Sequence, residues 1–533
     1  MAFTPQWVPT TVGEVFDRVL ADAPASEGLV TRSGHYTYAQ LDALVDRASH
    51  VLAGLGVRAG DRVAASLPND TPVIVAFHAA MRLGAIWVGV NRALAAPEKA
   101  FILDDCDASV LLCDAQTAGQ VATMPATLRR ELAVVPIGAG DAHGWEASLA
   151  AADDRRIGAV VDPDAPAGIA YTSGTTGHPK GALHSQRNLC LPGVALVASR
   201  GYGPGLRKGD CLPLTILNMQ VLTTLLVAQA GGCSVIMDRT DAPGVADWVR
   251  RERVTTWNGP PALIHNLASD ASVDPADLAT LDEVLTGGAD CPEAVRAAFE
   301  HKFGRPVLAT YGLSEAPTIV TIDGRDGAHV AGASGRPLPH LDLRIITDDG
   351  EVAVGATGEV CLGAAREGPW AGVYRTMLGY HNRSEATVEA LRDGLLHTGD
   401  IGFLDEAGFL HLRDRKSLLI LRGGANVYPA EVERVLHAAP GVAACAVVGI
   451  PDERLGERVV AAVEVTPGAS VTADALGAHC AANLARYKVP ERFVFVDGFA
   501  RNSMGKILRR ELATLFEPSP TALSPVSAHR PAR

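Results

Sequence analysis

At 533 residues, 47% hydrophobic and 20% charged, the chain is too long for one hydrophobic core, and at least two domains are expected. A formal charge of −13, from 47 basic and 60 acidic residues, argues against a nucleic-acid partner while leaving room for local phosphate sites built from backbone amides. Nine cysteines, odd in number and without CxxC spacing, point away from a disulfide frame or a zinc site; with no basic leader and no uncharged apolar run of roughly 18 residues, the expected location is the reducing cytoplasm.

The first helix is expected over 38–55, where Leu41, Leu44, Val45, Ala48, Leu52 and Leu55 recur at helical spacing. Thr37 and Gln40 form a capping box before it, and Gly54 and Gly56 mark its exit. A short strand over 61–67, a helix over 71–83 and a strand over 85–90 follow, an order that implies crossover units on a mainly parallel sheet. This alternation continues to about residue 340. From 341 to 412 the segments are short and β-like, separated by turns such as Asp348-Asp349-Gly350 and 405–408. A compact α+β pattern then begins, with strands over 442–450 and 459–465 and helices near 430–437 and 473–484. The tail from 517, with its Pro-Ser-Pro and Ser-Pro steps, reads as disordered.

The most informative run is Tyr171-Thr172-Ser173-Gly174-Thr175-Thr176-Gly177-His178-Pro179-Lys180-Gly181, which follows an apolar segment over 167–170. Glycines let backbone amides turn toward a ligand, hydroxyls add donors, and the lysine supplies a full charge, so the run can wrap a polyphosphate. It is not a Walker loop, because two residues rather than four separate Gly174 from Gly177, and Pro179 precedes Lys180.

This run resembles the signature loop of the adenylate-forming superfamily, which includes acyl-CoA synthetases, the adenylation domains of peptide synthetases and firefly luciferase. The resemblance covers residues 10–515 and extends to Tyr311-Gly312-Leu313-Ser314-Glu315, Thr398-Gly399-Asp400, Asp414-Arg415 with the loop over 423–433, and Arg501-Asn502-Ser503-Met504-Gly505-Lys506. The fold it implies is α/β: a large N-terminal domain of parallel-rich sheets with helices and a β-rich subdomain (1–414), a small α+β C-terminal domain that rotates about a hinge (415–516), and the tail (517–533). The activity it implies is attack of a carboxylate on the α-phosphate of MgATP, with loss of pyrophosphate, followed by thioester formation with CoA.

By the same resemblance Lys506 steadies charge at the α-phosphate and attacking oxygen, with Ser314 and Lys180 as further catalytic candidates. Thr172, Ser173, Gly174, Thr175, Thr176 and Gly177 hold phosphates, and Glu315 with Thr176 holds Mg²⁺, a cation that prefers oxygen ligands. Gly288, Ala289 and Asp290 face the adenine, Tyr311 with Gly312 stacks on it, and Asp400 takes both ribose hydroxyls. Arg415 reaches ribose or phosphate, or else pairs across the domain boundary. The acid pocket is lined by Ile216, Asn218, Trp257, Asn258 and Leu313. Trp257 reads equally as a gate to that pocket or as a core tryptophan.

Several positions depart from the common acyl-CoA synthetase pattern. Thr215-Ile216 replaces a Phe-His pair, Gln186 stands where a second histidine often follows the phosphate loop, and Ser417, Leu418 and Ala425 alter the hinge region. These leave adenylation intact and bear on domain rotation and CoA entry. The small and polar groups Thr215, Asn218, Gln220 and Asn258 hint at a compact or polar substrate. An acid–CoA ligase is therefore the leading reading. The alternatives keep adenylation with another acceptor or anion (an amine, a carrier protein, or nitrite activated to diazotise an aryl amine), or reduce the chain to a non-catalytic nucleotide binder. Homodimers are common among relatives.

Overall fold

The structure is a computed structural model that describes residues 9–124, 132–138, 144–172, 179–288, 291–325, 329–415, 418–422, 425–452, 455–501, 507–509 and 512–516. The chain forms two compact units that divide between Leu412 and Arg413.

In the first unit, the helix Tyr38–Gly54 begins as its sequence dictates: Thr37 Oγ1 accepts the Gln40 amide at 3.2 Å, and Gln40 Oε1 accepts the Thr37 amide at 2.9 Å. Its buried stripe is Leu41, Val45, Ala48 and Leu52, spaced by three and four residues. The strand Arg62–Ser66, the helix Thr71–Arg82 and the strand Ile86–Gly89 form the expected crossover, the two strands pairing in parallel. They sit in a seven-stranded sheet whose order, by residue range, is 379–380, 180–185, 166–172, 86–89, 62–66, 110–113 and 133–136. A nine-stranded sheet runs 336–337, 318–322, 307–313, 283–286, 256–258, 207–210, 233–236, 27–31 and 34–37. One apolar cluster contains Val63 and Trp87 of the first sheet, Leu29, Ile236, Leu285 and Leu308 of the second, and Val73, Ile74, Phe77, Leu217 and Leu225 from helices. The helix Thr71–Arg82 is buried along almost its whole length, as a helix packed on more than one side must be.

The parallel run ends earlier than the sequence suggests. Val307–Leu313 pairs in parallel with Glu283–Thr286, but Thr318–Ile322 turns back antiparallel on it. Beyond it lies an antiparallel sheet in the order 350–351, 341–347, 358–364, 395–404 and 391–392, with Leu410–Arg415 added to the side of Leu395–Leu404. The β-like texture after 340 conceals one helix, Ser384–Ala390.

The second unit is α+β. Val442–Asp452 and Gly456–Val465 form a long antiparallel pair, and Arg492–Val496 joins the latter in parallel. Helices Pro429–His437 and Ala473–Asn483 cover one face through Val432, Leu436, Leu476 and Cys480. All nine cysteines are buried. Among the described residues, no helix is long and apolar enough to cross a membrane.

Candidate active site

The phosphate-loop run connects two antiparallel strands, Pro166–Thr172 and Lys180–Ser185, with Thr172 opposite Lys180 and Tyr171 opposite Gly181. Thr172 Oγ1 donates to the Lys180 carbonyl at 3.3 Å, closing the base of the hairpin. Gly181 is dictated by packing, since a Cβ there would lie 2.4 Å from Ile169 Cγ2. Ser173, Gly174, Thr175, Thr176 and Gly177 fall outside the described residues, as do His178, Ala289, Asp290, Ser417 and Lys506; the side chains of Arg415 and Ala425 do too.

The strand Val307–Leu313 delivers the aromatic-glycine segment. Tyr311 Oη donates to Asp400 Oδ2 at 2.6 Å in a buried contact. Asp400 belongs to a turn held from behind: its amide donates to Thr398 Oγ1 at 3.1 Å, and Thr398 Oγ1 donates to the Val360 carbonyl at 2.7 Å. Gly399 takes φ +72°, a conformation that favours glycine, and its amide donates to Glu359 Oε1 at 3.1 Å. Glu359 Oε2 meets His397 Nδ1 at 3.2 Å, and that nitrogen meets Cys361 Sγ at 3.3 Å. The Asp400 turn thus rests on a polar cluster buried in the antiparallel sheet.

Gly312 is the exposed residue of an otherwise largely buried strand. A Cβ there would sit 2.1 Å from the Thr318 carbonyl oxygen, so the strand pair requires glycine at this point. Thr318 itself adopts φ +138°, a region costly for a β-branched residue, at about 1–3 kcal/mol. The backbone beside the Tyr311–Glu315 segment is therefore strained.

Glu315 Oε1 accepts Tyr380 Oη at 2.7 Å, and its second oxygen has no hydrogen-bond partner among the described residues. The Tyr380 ring lies 5.4 Å from Lys180 Nζ, a cation–π contact. Tyr380 pairs across the sheet with Ala182, so strand register fixes it beside the hairpin. Sequence reasoning missed Tyr380, which stands in an unremarkable Gly-Tyr step. It also missed His184, wholly buried, whose Nε2 donates to the Ser314 carbonyl at 2.7 Å while Asn188 Nδ2 donates to Nδ1 at 3.0 Å. Burial holds the His184 pKa down to about 4, with the Ser314 carbonyl acting in the opposite direction. The neutral ring fastens the segment carrying Ser314 and Glu315 to the strand after the phosphate run. A line of contacts thus joins Lys180, Tyr380 and Glu315, and a second joins Tyr311 to Asp400.

The chain matches two family models: AMP-binding enzyme over residues 16–380, more than half its length, and AMP-binding enzyme C-terminal domain over 431–506. It belongs to this family. It is 34% identical over 488 residues to a long-chain-fatty-acid–CoA ligase of Mycobacterium tuberculosis, covering 89% of this chain and 92% of that one. It is 36% identical over 491 residues to a feruloyl-CoA synthase of a Streptomyces species, covering 90% and 94%. The structure matches ATP-bound MatB from Rhodopseudomonas palustris with a TM-score of 0.85 and 28% identity, covering 95% and 99%. Like other members of its family, the chain is an ATP-dependent, AMP-forming ligase.

The residues expected around an acid lie at the carboxyl ends of the nine-stranded sheet. Ile216 precedes the helix Leu217–Gln220, is partly exposed, and packs against the large apolar cluster. Asn218 is partly exposed, and its Oδ1 is buried without a partner. Leu313 is buried in the same apolar cluster. Asn258 and Trp257 are neighbours on the strand Thr256–Asn258 and therefore point to opposite faces. Trp257 is fully buried with Val245, Val249, Ile264, Leu267 and Phe299. The gate reading of Trp257 is corrected accordingly: its ring faces the covering helices, and Asn258 is the residue of this strand that reaches solvent. Gln186 is also buried, its Oε1 accepting the Val12 amide at 3.1 Å, so it anchors the N-terminal segment. Gly288, at φ +80°, is exposed at the end of the next strand's loop.

Proposed function

We propose that the chain activates a carboxylic acid with ATP and passes the acyl group to CoA. The carboxylate oxygen attacks the α-phosphorus, forming an O–P bond as the α–β bridging bond breaks and pyrophosphate leaves. The CoA thiolate then attacks the acyl carbon, AMP departs with the carboxylate-derived oxygen, and the thiol proton passes to solvent.

The observation that carries this reading is the convergence of separated segments: Lys180, Tyr380 and Glu315 in one line of contacts, Tyr311 and Asp400 in another. Residues scattered over 220 positions of sequence, on or beside strands of three different sheets, are brought together by one strand pairing and by side-chain contacts. In this assignment Asp400 accepts the ribose hydroxyls, steadied by the Tyr311 hydroxyl, and the Tyr311 ring lies against adenine beside Gly288, Ala289, Asp290 and Gly312. Thr172 through Gly177 and Lys180 hold the phosphates, and Arg415 is assigned to ribose or phosphate. Glu315 fits a magnesium ligand, being a carboxylate with one oxygen anchored by Tyr380 and the other unpartnered among the described residues; Thr176 is the second oxygen ligand. A bound ion held there would supply charge neutralisation to the phosphates. Ser314 is positioned through its carbonyl by His184. Lys506 offsets the charge that builds as two anions approach, an electrostatic role worth about 3–4 kcal/mol.

The test is pyrophosphate release from ATP and Mg²⁺ in the presence of an acid, in the wild type and in Asp400→Ala. Acid-dependent release that collapses in the variant supports the assignment. Equal release by both would overturn it.

A further inference from the structure

Beneath the carboxyl edge of the nine-stranded sheet lies a buried polar network that an apolar pocket would not need. Lys208 and Asp210 are 1% and 0% exposed. Lys208 Nζ donates to Asp210 Oδ2 at 3.0 Å and to Asn258 Oδ1. Thr223 Oγ1 donates to the same Asp210 oxygen at 2.6 Å, and Asn258 Nδ2 reaches Asp210 Oδ1 at 3.4 Å. Lys208 and Asp210 share a face of the strand Arg207–Asp210, and Asn258 lies on the adjoining parallel strand. Taking two charges out of water is costly, and apolar side chains of similar volume pack such a contact equally well. A strand floor built for an alkyl chain has no use for it.

The donor count gives the network a direction. Every oxygen of Asp210 is engaged, and Asn258 Oδ1 is taken by Lys208. Of three ammonium hydrogens on Lys208, two are used, and of two amide hydrogens on Asn258, one is used, among the described residues. The surplus is N–H, and Asn258 is the partly exposed member. Thr215 Oγ1, which can donate or accept, and Asn218 Oδ1, an acceptor, lie on the segment that follows Asp210 and are also buried without partners among the described residues. The open ends of these parallel strands form the crevice in which α/β sheets bind ligands. Two strand spacings separate Asn258 from Gly312, roughly 10 Å at the usual distance between strands.

We propose that Asn258, backed by Lys208 and Asp210, is a specificity site for an oxygen acceptor at the far end of a compact acid. This deepens and rests on the acid-activating reading above. The substrate class is a short-chain or aryl acid bearing a distal hydroxyl, carbonyl or second carboxylate, not a long unbranched fatty acid.

The test measures kcat/KM for acid-dependent pyrophosphate release by the full chain on matched pairs: benzoate and 4-hydroxybenzoate, hexanoate and 6-hydroxyhexanoate, with adipate to separate a neutral from an anionic acceptor. The oxygenated member of at least one pair is expected to be preferred tenfold or more, and Asn258→Leu to erase that ratio. Because Lys208→Met risks misfolding, the decision rests on Asn258→Leu, with its melting temperature as a check. Preference for the apolar members, or an unchanged ratio in Asn258→Leu, overturns the assignment while leaving adenylation standing. Absence of release with every acid overturns the adenylation reading, and this one with it.

Discussion

Replacing Tyr311 by Phe keeps the ring and deletes one hydroxyl, which makes it a selective probe of the nucleotide side of the site. The lost contact is a 2.6 Å hydrogen bond to a buried carboxylate oxygen of Asp400. Hydrogen bonds to charged groups contribute about 1.5–3 kcal/mol net, which at 1.36 kcal/mol per decade is roughly tenfold to a little over a hundredfold. If Asp400 binds ribose in the ground state and the transition state alike, the loss falls on binding. The KM for ATP then rises, by at most that factor because the bond is already present without nucleotide, kcat changes little, and the KM for the acid stays put. Steady-state pyrophosphate release with ATP and acid varied separately gives all three values. A fall in kcat at constant KM for ATP would refute the ribose assignment, and no change in any of them would remove Tyr311 and Asp400 from the nucleotide site.

Lys506→Ala should lower adenylation roughly 10²–10³-fold while a fluorescent ATP analogue still binds; unchanged turnover would exclude the assigned role. Trp257→Ala should lower stability by about 3–5 kcal/mol as a large-to-small core change, seen as a fall in denaturation midpoint, without altering the ratio of kcat/KM between acids. A shift in that ratio would restore the gate reading. Burial lowers the pKa of His78 and His340 to about 3 and that of His184 to about 4, from an ordinary 6.5. The unfolded chain therefore binds protons below pH 6.5 that the folded chain refuses, so stability falls as pH drops from 6.5 toward 4. For His184 alone the difference reaches about 3 kcal/mol at the acid end. Urea midpoints at pH 7, 6 and 5 should decline in that order, and His340→Gln should flatten the decline; a flat wild-type profile would contradict it.

Much of this architecture is legible in the residues because local rules and global packing agree. The capping box of Thr37 and Gln40 and the stripe through Leu41, Val45, Ala48 and Leu52 place the first long helix to within one residue at its end. The alternation up to Leu313 specifies parallel crossovers, and the Asp-Gly turns announce the antiparallel sheet. What escapes is set by tertiary contact. Nothing local distinguishes Thr318–Ile322, which turns back antiparallel where Gly312 admits its backbone. In the site, Tyr311, Glu315 and Asp400 are visible through their motifs, but Tyr380 and His184 are not. Tyr380 acts through a register pairing 198 positions away, and His184 through a bond to a backbone carbonyl. Trp257 remained open in the sequence because two residues on one strand face opposite ways and three residues are too few to reveal the phase. The Lys208–Asp210 pair was overlooked because charges two apart on a short strand resemble a solvated edge.

The central claim is that one site performs acid activation and thioester formation. Its most direct measurement is pyrophosphate release from ATP and Mg²⁺ across aryl, oxygenated short-chain, medium-chain and long-chain acids, with nitrite and aryl amines alongside, with and without CoA, and with products identified by mass. Acid-dependent release that turns over repeatedly only with CoA, yielding AMP and an acyl-CoA thioester, is the predicted result. Release that is indifferent to CoA, or that occurs only with nitrite or an amine, would contradict it.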